Sequence, residues 1–124
     1  MHKLVYLLLL GAIGTLARYA LALGVGRVLP GGFPWGTLAV NMLGCFLFGL
    51  VLTLGRERGA LSRETVEVVL IGFMGAFTTF SSFVNDTVGL ARAEELGAAV
   101  ANILVQNGGG VLCFFAGAAL ARLG

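Results

Sequence analysis

Charge is scarce in this sequence. Eight basic and six acidic side chains make up 11% of the 124 residues, whereas soluble globular proteins carry about 25%. Hydrophobic residues make up 58%, and the mean hydropathy is +0.98. This composition excludes an ordinary soluble domain and predicts an integral membrane protein in contact with the lipid bilayer. The net charge of +2 is too small to indicate a nucleic-acid partner.

Residues suited to metal binding or catalysis are also few. The single histidine, His2, stands next to the N-terminus. The two cysteines, Cys45 and Cys113, fall within apolar segments at a spacing that fits no metal motif. We interpret both cysteines as packing thiols. No pair of nucleophile and base is recognisable, so the sequence predicts that the chain is not an enzyme.

Carboxylates are absent from the middle of every apolar segment. Glu64 and Glu67 come at the start of the third segment, and Asp86 comes toward its far end. Ionisable groups at membrane depth mark proton pathways, and a proton-coupled cation exporter normally needs such a carboxylate. The absence therefore argues against an exporter of that kind.

Four hydrophobic segments alternate with short polar connections. They cover about residues 4–25, 34–54, 63–91 and 96–120, and a membrane helix needs about 20 residues. We expect an all-α membrane protein with four transmembrane helices, forming a single multi-pass domain over residues 1–124 with both termini on one side. The first segment is expected to be retained rather than cleaved as a signal peptide, because Gly11, Gly14 and Arg18 interrupt its apolar run.

The third segment has the least ordinary composition. Between Gly72 and Phe83 it contains two glycines, four hydroxyl side chains and four phenylalanines. The segment is too long for one straight span, and we expect a break near Gly75–Thr79. Backbone at membrane depth leaves the helix only where protein or a water-lined cavity satisfies it, and such breaks mark ion or substrate sites. The alternative is that the rings only pack and the hydroxyls bond to their own helix.

Polar side chains also interrupt the other segments. Arg18 stands well inside the first segment, where a charge costs at least ~2.5 kcal/mol. It either extends to the interface or lines an aqueous vestibule that attracts anions. Asn41, Asn102 and Gln106 supply neutral N–H donors, which a small anion needs once it has lost water. The alternative is that these amides only join neighbouring helices by hydrogen bonds.

Three stretches together resemble the signatures of one membrane protein family. They are Gly11–Tyr19, Gly36–Phe46 and Gly72–Phe83, and they resemble those of the Fluc (CrcB) fluoride channels. The resemblance implies a fluoride-selective ion channel of the bacterial inner membrane that passively exports fluoride from the cytoplasm. It also implies an antiparallel, dual-topology homodimer with two pores and a structural Na+ at the dimer centre.

The resemblance further implies roles for individual residues. Phe80 and Phe83 match two pore phenylalanines, whose electropositive ring edges would meet fluoride. Arg18 matches a vestibule arginine, and the carbonyls of Gly75 and Thr78 match donors to Na+, a hard ion that suits oxygen ligands. The expected pore residues are Phe80, Phe83, Asn41, Thr37, Thr79, Ser82, Gln106 and Asn102. The sequence departs from the family pattern at Ser82, where Thr is more usual, and at Asn102 and Gln106, where Tyr and Ser are common.

Two other functions fit the size and the number of spans. One is a small proton-coupled multidrug exporter, against which the missing deep carboxylate argues. The other is a structural subunit of a larger membrane complex, which would have no need of the polar residues clustered in the third segment.

Basic residues outside the segments bear on the orientation in the membrane. Those on the expected side of the termini outnumber those on the other side, which favours cytoplasmic termini. An antiparallel dimer instead requires both orientations, and we expect dual topology as in the family. The first group comprises Lys3, Arg56, Arg58, Arg63 and Arg122, and the second comprises Arg27 and Arg92.

Overall fold

The structure of the protein, a computed structural model, describes residues 1–124. All of its regular secondary structure is helical, and four segments are long and apolar enough to cross a membrane. The predictions of an all-α, multi-pass membrane protein with four such helices are confirmed. The four segments are His2–Val28, Trp35–Arg56, Arg63–Arg92 and Leu96–Leu123.

Five helices make up these segments, because the third segment contains two. We label them α1 (His2–Val28), α2 (Trp35–Arg56), α3 (63–77), α4 (Phe80–Arg92) and α5 (Leu96–Leu123). Turns of π-helix occur within α3 at Val69–Met74 and within α5 at Val105–Gly109. Between α3 and α4 the backbone is extended, with φ −79° and ψ 157° at Thr78 and φ −148° and ψ 110° at Thr79.

Hydroxyl side chains cap the N-termini of both helices in the third segment. The Ser62 hydroxyl accepts a hydrogen bond from the N–H of Thr65 at 3.1 Å, which begins α3. The Thr79 hydroxyl accepts one from the N–H of Ser82 at 3.2 Å, which begins α4. Each cap satisfies a backbone donor that has no partner within the helix. Thr79 therefore has an extended backbone and is also the N-cap of α4.

Glycines allow α2 and α5 to approach each other at backbone distance. A side-chain carbon at Gly49 would overlap the carbonyl of Phe114, and one at Gly117 would overlap the carbonyl of Phe46. Small residues are needed here because helices in a bilayer associate through close packing rather than through burial of apolar area. The same contact brings the polar residues of α5 close to α2.

Most large apolar side chains lie on the outside of the molecule. Leu8 is 74% exposed and Leu112 is 72% exposed, while the buried apolar residues are few and mostly small. A protein that is surrounded by lipid can expose such residues without penalty, because lipid tails are as apolar as these side chains. The buried polar residues therefore stand out, and they are Thr53, Thr79, Asn102 and Gln106.

Ion pairs gather both termini at one end of the molecule. Lys3 pairs with Glu67, and the Arg122 guanidinium donates two hydrogen bonds of 2.7 Å to Glu57. These hydrogen bonds lower the pKa of the Glu57 carboxyl below its ordinary value. Arg58 donates to the carbonyl of Ala121 at 3.1 Å. The connection between α2 and α3 thus lies beside the N- and C-termini.

Candidate functional site

The extended backbone between α3 and α4 is held by one amide side chain of α2. The N–H of Thr79 donates to Asn41 Oδ1 at 2.9 Å, and Asn41 Nδ2 donates to the Thr79 carbonyl at 3.1 Å. Thr79 is buried, so both of its backbone polar groups would otherwise lack partners. Asn41 replaces the helical hydrogen bonds that Thr79 does not make.

A chain of hydrogen bonds continues from Asn41 through α5 to α4. Asn41 Nδ2 also donates to Gln106 Oε1 at 3.0 Å, and Gln106 Nε2 donates to Asn102 Oδ1 at 3.3 Å. Asn102 is fully buried, and its Nδ2 donates to Thr87 Oγ1 at 2.9 Å. The Thr87 hydroxyl then donates to the carbonyl of Phe83 at 2.8 Å. The chain therefore joins α2, α5 and α4 by side chains alone.

The orientation of these amides follows from the Thr79 N–H. A backbone N–H can only donate, so it requires the oxygen of Asn41. The Asn41 nitrogen then faces Gln106, which must present its own oxygen and direct its nitrogen toward Asn102. One backbone donor thus fixes the direction of three amide side chains in sequence.

Beside this chain lies a cavity of about 300 Å³ that combines hydroxyls, amides and aromatic rings. Phe80 is 76% exposed, and its ring centroid lies 5.6 Å from that of Phe83 with a tilt of 46° between the planes. The wall contains no ionisable carboxyl or basic group. The lining residues are Asn41, Gly44, Cys45, Phe48, Thr78, Thr79, Phe80, Phe83, Gln106, Asn107 and Phe114. We refer to this cavity as the polar groove.

Most of the residues predicted for a pore come together here. Five of them line the polar groove, and these are Asn41, Thr79, Phe80, Phe83 and Gln106. Ser82 adjoins it through the hydroxyl of Thr79, which donates to Ser82 Oγ at 2.9 Å. Asn102 lies one step behind Gln106 in the hydrogen-bond chain. A small polar surface beside two rings is thus assembled from α2, α4 and α5.

Two predicted residues lie apart from the groove. Thr37 stands one turn before Asn41, and its hydroxyl donates to Asp86 Oδ2 at 2.6 Å instead of joining the amide chain. Arg18 lies on α1, half-buried, where it makes neither an ion pair nor a side-chain hydrogen bond. Neither residue lines the polar groove.

The carbonyls predicted to bind Na+ lie at the end of α3. Because the N–H of Thr79 goes to Asn41, the Gly75 carbonyl lacks its usual donor four residues later. The N–H of Ser82 goes to the Thr79 hydroxyl, so it does not reach the Thr78 carbonyl. Unpaired carbonyl oxygens are hard ligands of the kind a small alkali cation takes. The carbonyl oxygens of Gly75 and Thr78 are therefore of a kind that suits Na+.

Sequence reasoning missed two residues of this region. Thr87 ends the amide chain, and its only signal was its position one turn after Phe83 on the same helical face. Asp86 was noted as a carboxylate, but its pairing with Thr37 joins residues 49 apart in the chain. No local spacing rule predicts a contact over that separation.

Comparison with known proteins identifies relatives over nearly the whole chain. The family model described as CrcB-like protein, Camphor Resistance (CrcB), matches residues 5–118. The fluoride-specific ion channel FluC of Solidesulfovibrio magneticus is 51% identical over 123 residues, which cover 99% of this chain and 98% of that protein. The FluC proteins of Desulforapulum autotrophicum and Nitrosococcus oceani are 48% and 44% identical, with 98% of this chain and 98% of each relative covered. These matches confirm the resemblance seen in the sequence, and the chain belongs to the CrcB (Fluc) family.

Proposed function

We propose that the protein is a fluoride-selective channel that lets fluoride leave the cytoplasm passively, and that the polar groove forms part of its path. The observation that carries this proposal is a groove lined by neutral N–H and O–H donors and by ring edges, with no carboxylate in its wall. The relatives described above are named as fluoride-specific ion channels. Their family is one of channels, so the chain is not an enzyme.

The donors available to an anion follow from the hydrogen-bond chain. Both hydrogens of Asn41 Nδ2 are engaged, by Thr79 and by Gln106. Gln106 Nε2 uses one hydrogen toward Asn102 and keeps the second. Ser82 Oγ accepts from Thr79, which leaves the Ser82 hydroxyl hydrogen free to donate. We therefore assign anion contact to Gln106 and Ser82, and we assign to Asn41 the task of positioning them.

The aromatic rings supply the remaining contacts. The edge of a phenylalanine ring is electropositive, so Phe80 and Phe83 can meet an anion without a formal charge. Fluoride is small and strongly hydrated, and a narrow path must replace its water contacts at short distance. Chloride is too large for the same spacing. A path of neutral donors also binds the anion weakly enough for it to leave, whereas a buried full positive charge would hold it too tightly.

A proton-coupled drug exporter is the less favoured function. The one carboxylate on α4 is Asp86, and it is paired with the Thr37 hydroxyl rather than isolated in the groove. Asp86 also lines a cavity with Pro34 and Trp35, at the start of α2 and away from its middle. An exporter of that kind needs a carboxylate that exchanges a proton for a substrate at membrane depth.

We further propose an antiparallel homodimer of dual topology in the bacterial inner membrane, with one Na+ at its centre. The Gly75 and Thr78 carbonyls of both copies would hold this ion, which would supply positive charge to tie the extended segments together. The proposal is supported by carbonyls that lack helical partners and by the exposure of Phe80, which lines the polar groove together with Thr78. A second copy would cover that surface and complete the path beside it.

The first prediction concerns selectivity. Liposomes that contain the purified protein should release fluoride rapidly when a K+ ionophore balances the charge, and they should retain chloride. The physical reason is the close spacing of neutral donors, which suits the smaller anion. An ion-selective electrode measures both anions, and protein-free liposomes are the control. Equal release of the two anions would contradict the proposed selectivity.

The second prediction concerns the rings. Phe80→Ile or Phe83→Ile should lower fluoride flux by about tenfold or more, which corresponds to losing about 1.4 kcal/mol of stabilisation at the barrier. Isoleucine keeps much of the bulk but has no polarised edge. Phe115→Ile is the matched control, since Phe115 is 61% exposed and lies outside the groove. Flux like that of the unchanged protein in both groove variants would mean that the rings only pack.

The third prediction concerns orientation. A single cysteine introduced by Ala60→Cys, in a background of Cys45→Ser and Cys113→Ser, should react with an impermeant thiol reagent on intact cells in about half of the molecules. Ala60 is exposed in the connection beside the termini, so its labelling reports their side. Labelling close to none or close to all would exclude dual topology.

A further inference from the structure

Three sulfur-containing side chains lie where α2 and α5 pack together. Met42 and Cys45 stand one turn apart on α2, and Cys113 lies on α5. The Cys113 and Met42 sulfurs are 3.9 Å apart. Neither cysteine forms a disulfide, and both are half-buried. The arrangement goes beyond the role of packing thiols that the sequence suggested.

A glycine on α5 leaves open the space between these side chains. A side-chain carbon at Gly110 would lie 3.3 Å from Cys45 Sγ and 3.7 Å from the Met42 methyl carbon. Cys113 follows Gly110 by one helical turn, so all three sulfurs border one small region. Cys45 also lines the polar groove, which gives this region a route from outside.

We propose that Met42, Cys45 and Cys113 bind a soft monovalent cation such as Cu+ or Ag+. Thiolate and thioether sulfurs select soft ions, whereas Mg2+ and Ca2+ require oxygen ligands. The 3.9 Å separation of the Met42 and Cys113 sulfurs is short enough for one ion to contact both.

Charge balance also suits this ion at membrane depth. Binding replaces the proton of a cysteine thiol with the metal ion, and the proton passes to water. Exchange of one proton for one monovalent cation leaves the charge of the site unchanged, so no net charge is buried in the low-dielectric interior. The thioether of Met42 adds a neutral ligand without any proton change.

Silver nitrate is the probe for this site, because Ag+ needs no added reductant to hold its oxidation state. Reduced, purified protein is titrated in chloride-free buffer by calorimetry, and we expect one high-affinity Ag+ per chain with release of protons. Cys45→Ser and Cys113→Ser should each abolish that binding. Met42→Leu, which conserves volume, should weaken it by about tenfold, or about 1.4 kcal/mol.

Matched controls separate this site from other sulfur and imidazole groups. Met74→Leu and His2→Gln remove a buried methionine on α3 and the N-terminal imidazole, and both variants should bind Ag+ as the unchanged protein does. X-ray absorption on the unchanged protein needs no variant to fold, and it should report three sulfur ligands. Absence of binding, fewer than three sulfurs, or an affinity unchanged by Met42→Leu would overturn the proposal. None of these measurements depends on fluoride transport, so the channel function is tested separately.

Discussion

The hydrogen bond from the Thr79 N–H to the Asn41 side chain is the contact on which the polar architecture depends. Thr78 and Thr79 leave the helix inside a segment that is otherwise long and apolar enough to span a membrane. In lipid, a backbone group without a partner costs several kcal/mol, and water is not at hand to satisfy it. Asn41 supplies an acceptor and a donor to the same residue, and it does so from a different helix.

This one contact also determines what the neighbouring amides can offer. With its oxygen directed to Thr79, Asn41 must donate to Gln106, and Gln106 must donate to Asn102. Asn102 donates to the Thr87 hydroxyl, which donates to the backbone carbonyl of Phe83. The donor and the acceptor of every hydrogen bond in the chain are therefore fixed. Fixed donors need no reorganisation when an ion arrives, which favours selective binding at a small site. The extended segment and the donors of the groove are thus parts of one arrangement.

The sequence predicts the features of this structure that depend on local composition, and it does not predict contacts between residues far apart in the chain. Hydropathy located the four spans because lipid imposes a minimum length on each apolar segment. The composition of Gly72–Phe83 predicted a break near Gly75–Thr79, and the separate resemblance selected Asn41, Phe80 and Phe83. The pairing of Asn41 with Thr79 and Gln106 spans 38 and 65 residues, and no local pattern encodes it. Thr37 shows the same limit, because its partner Asp86 became evident only in three dimensions.

The most direct test of this account is amide hydrogen exchange at Thr79, compared between the unchanged protein and Asn41→Ala. If Asn41 is the acceptor for this N–H, its removal should speed exchange at Thr79 by about tenfold or more, equivalent to about 1.4 kcal/mol of lost protection. The amide of Ala118 in α5, distant in sequence from both residues, serves as the reference for overall unfolding. Faster exchange at Thr79 alone is the predicted result. Equal protection of Thr79 in the two proteins would contradict the account.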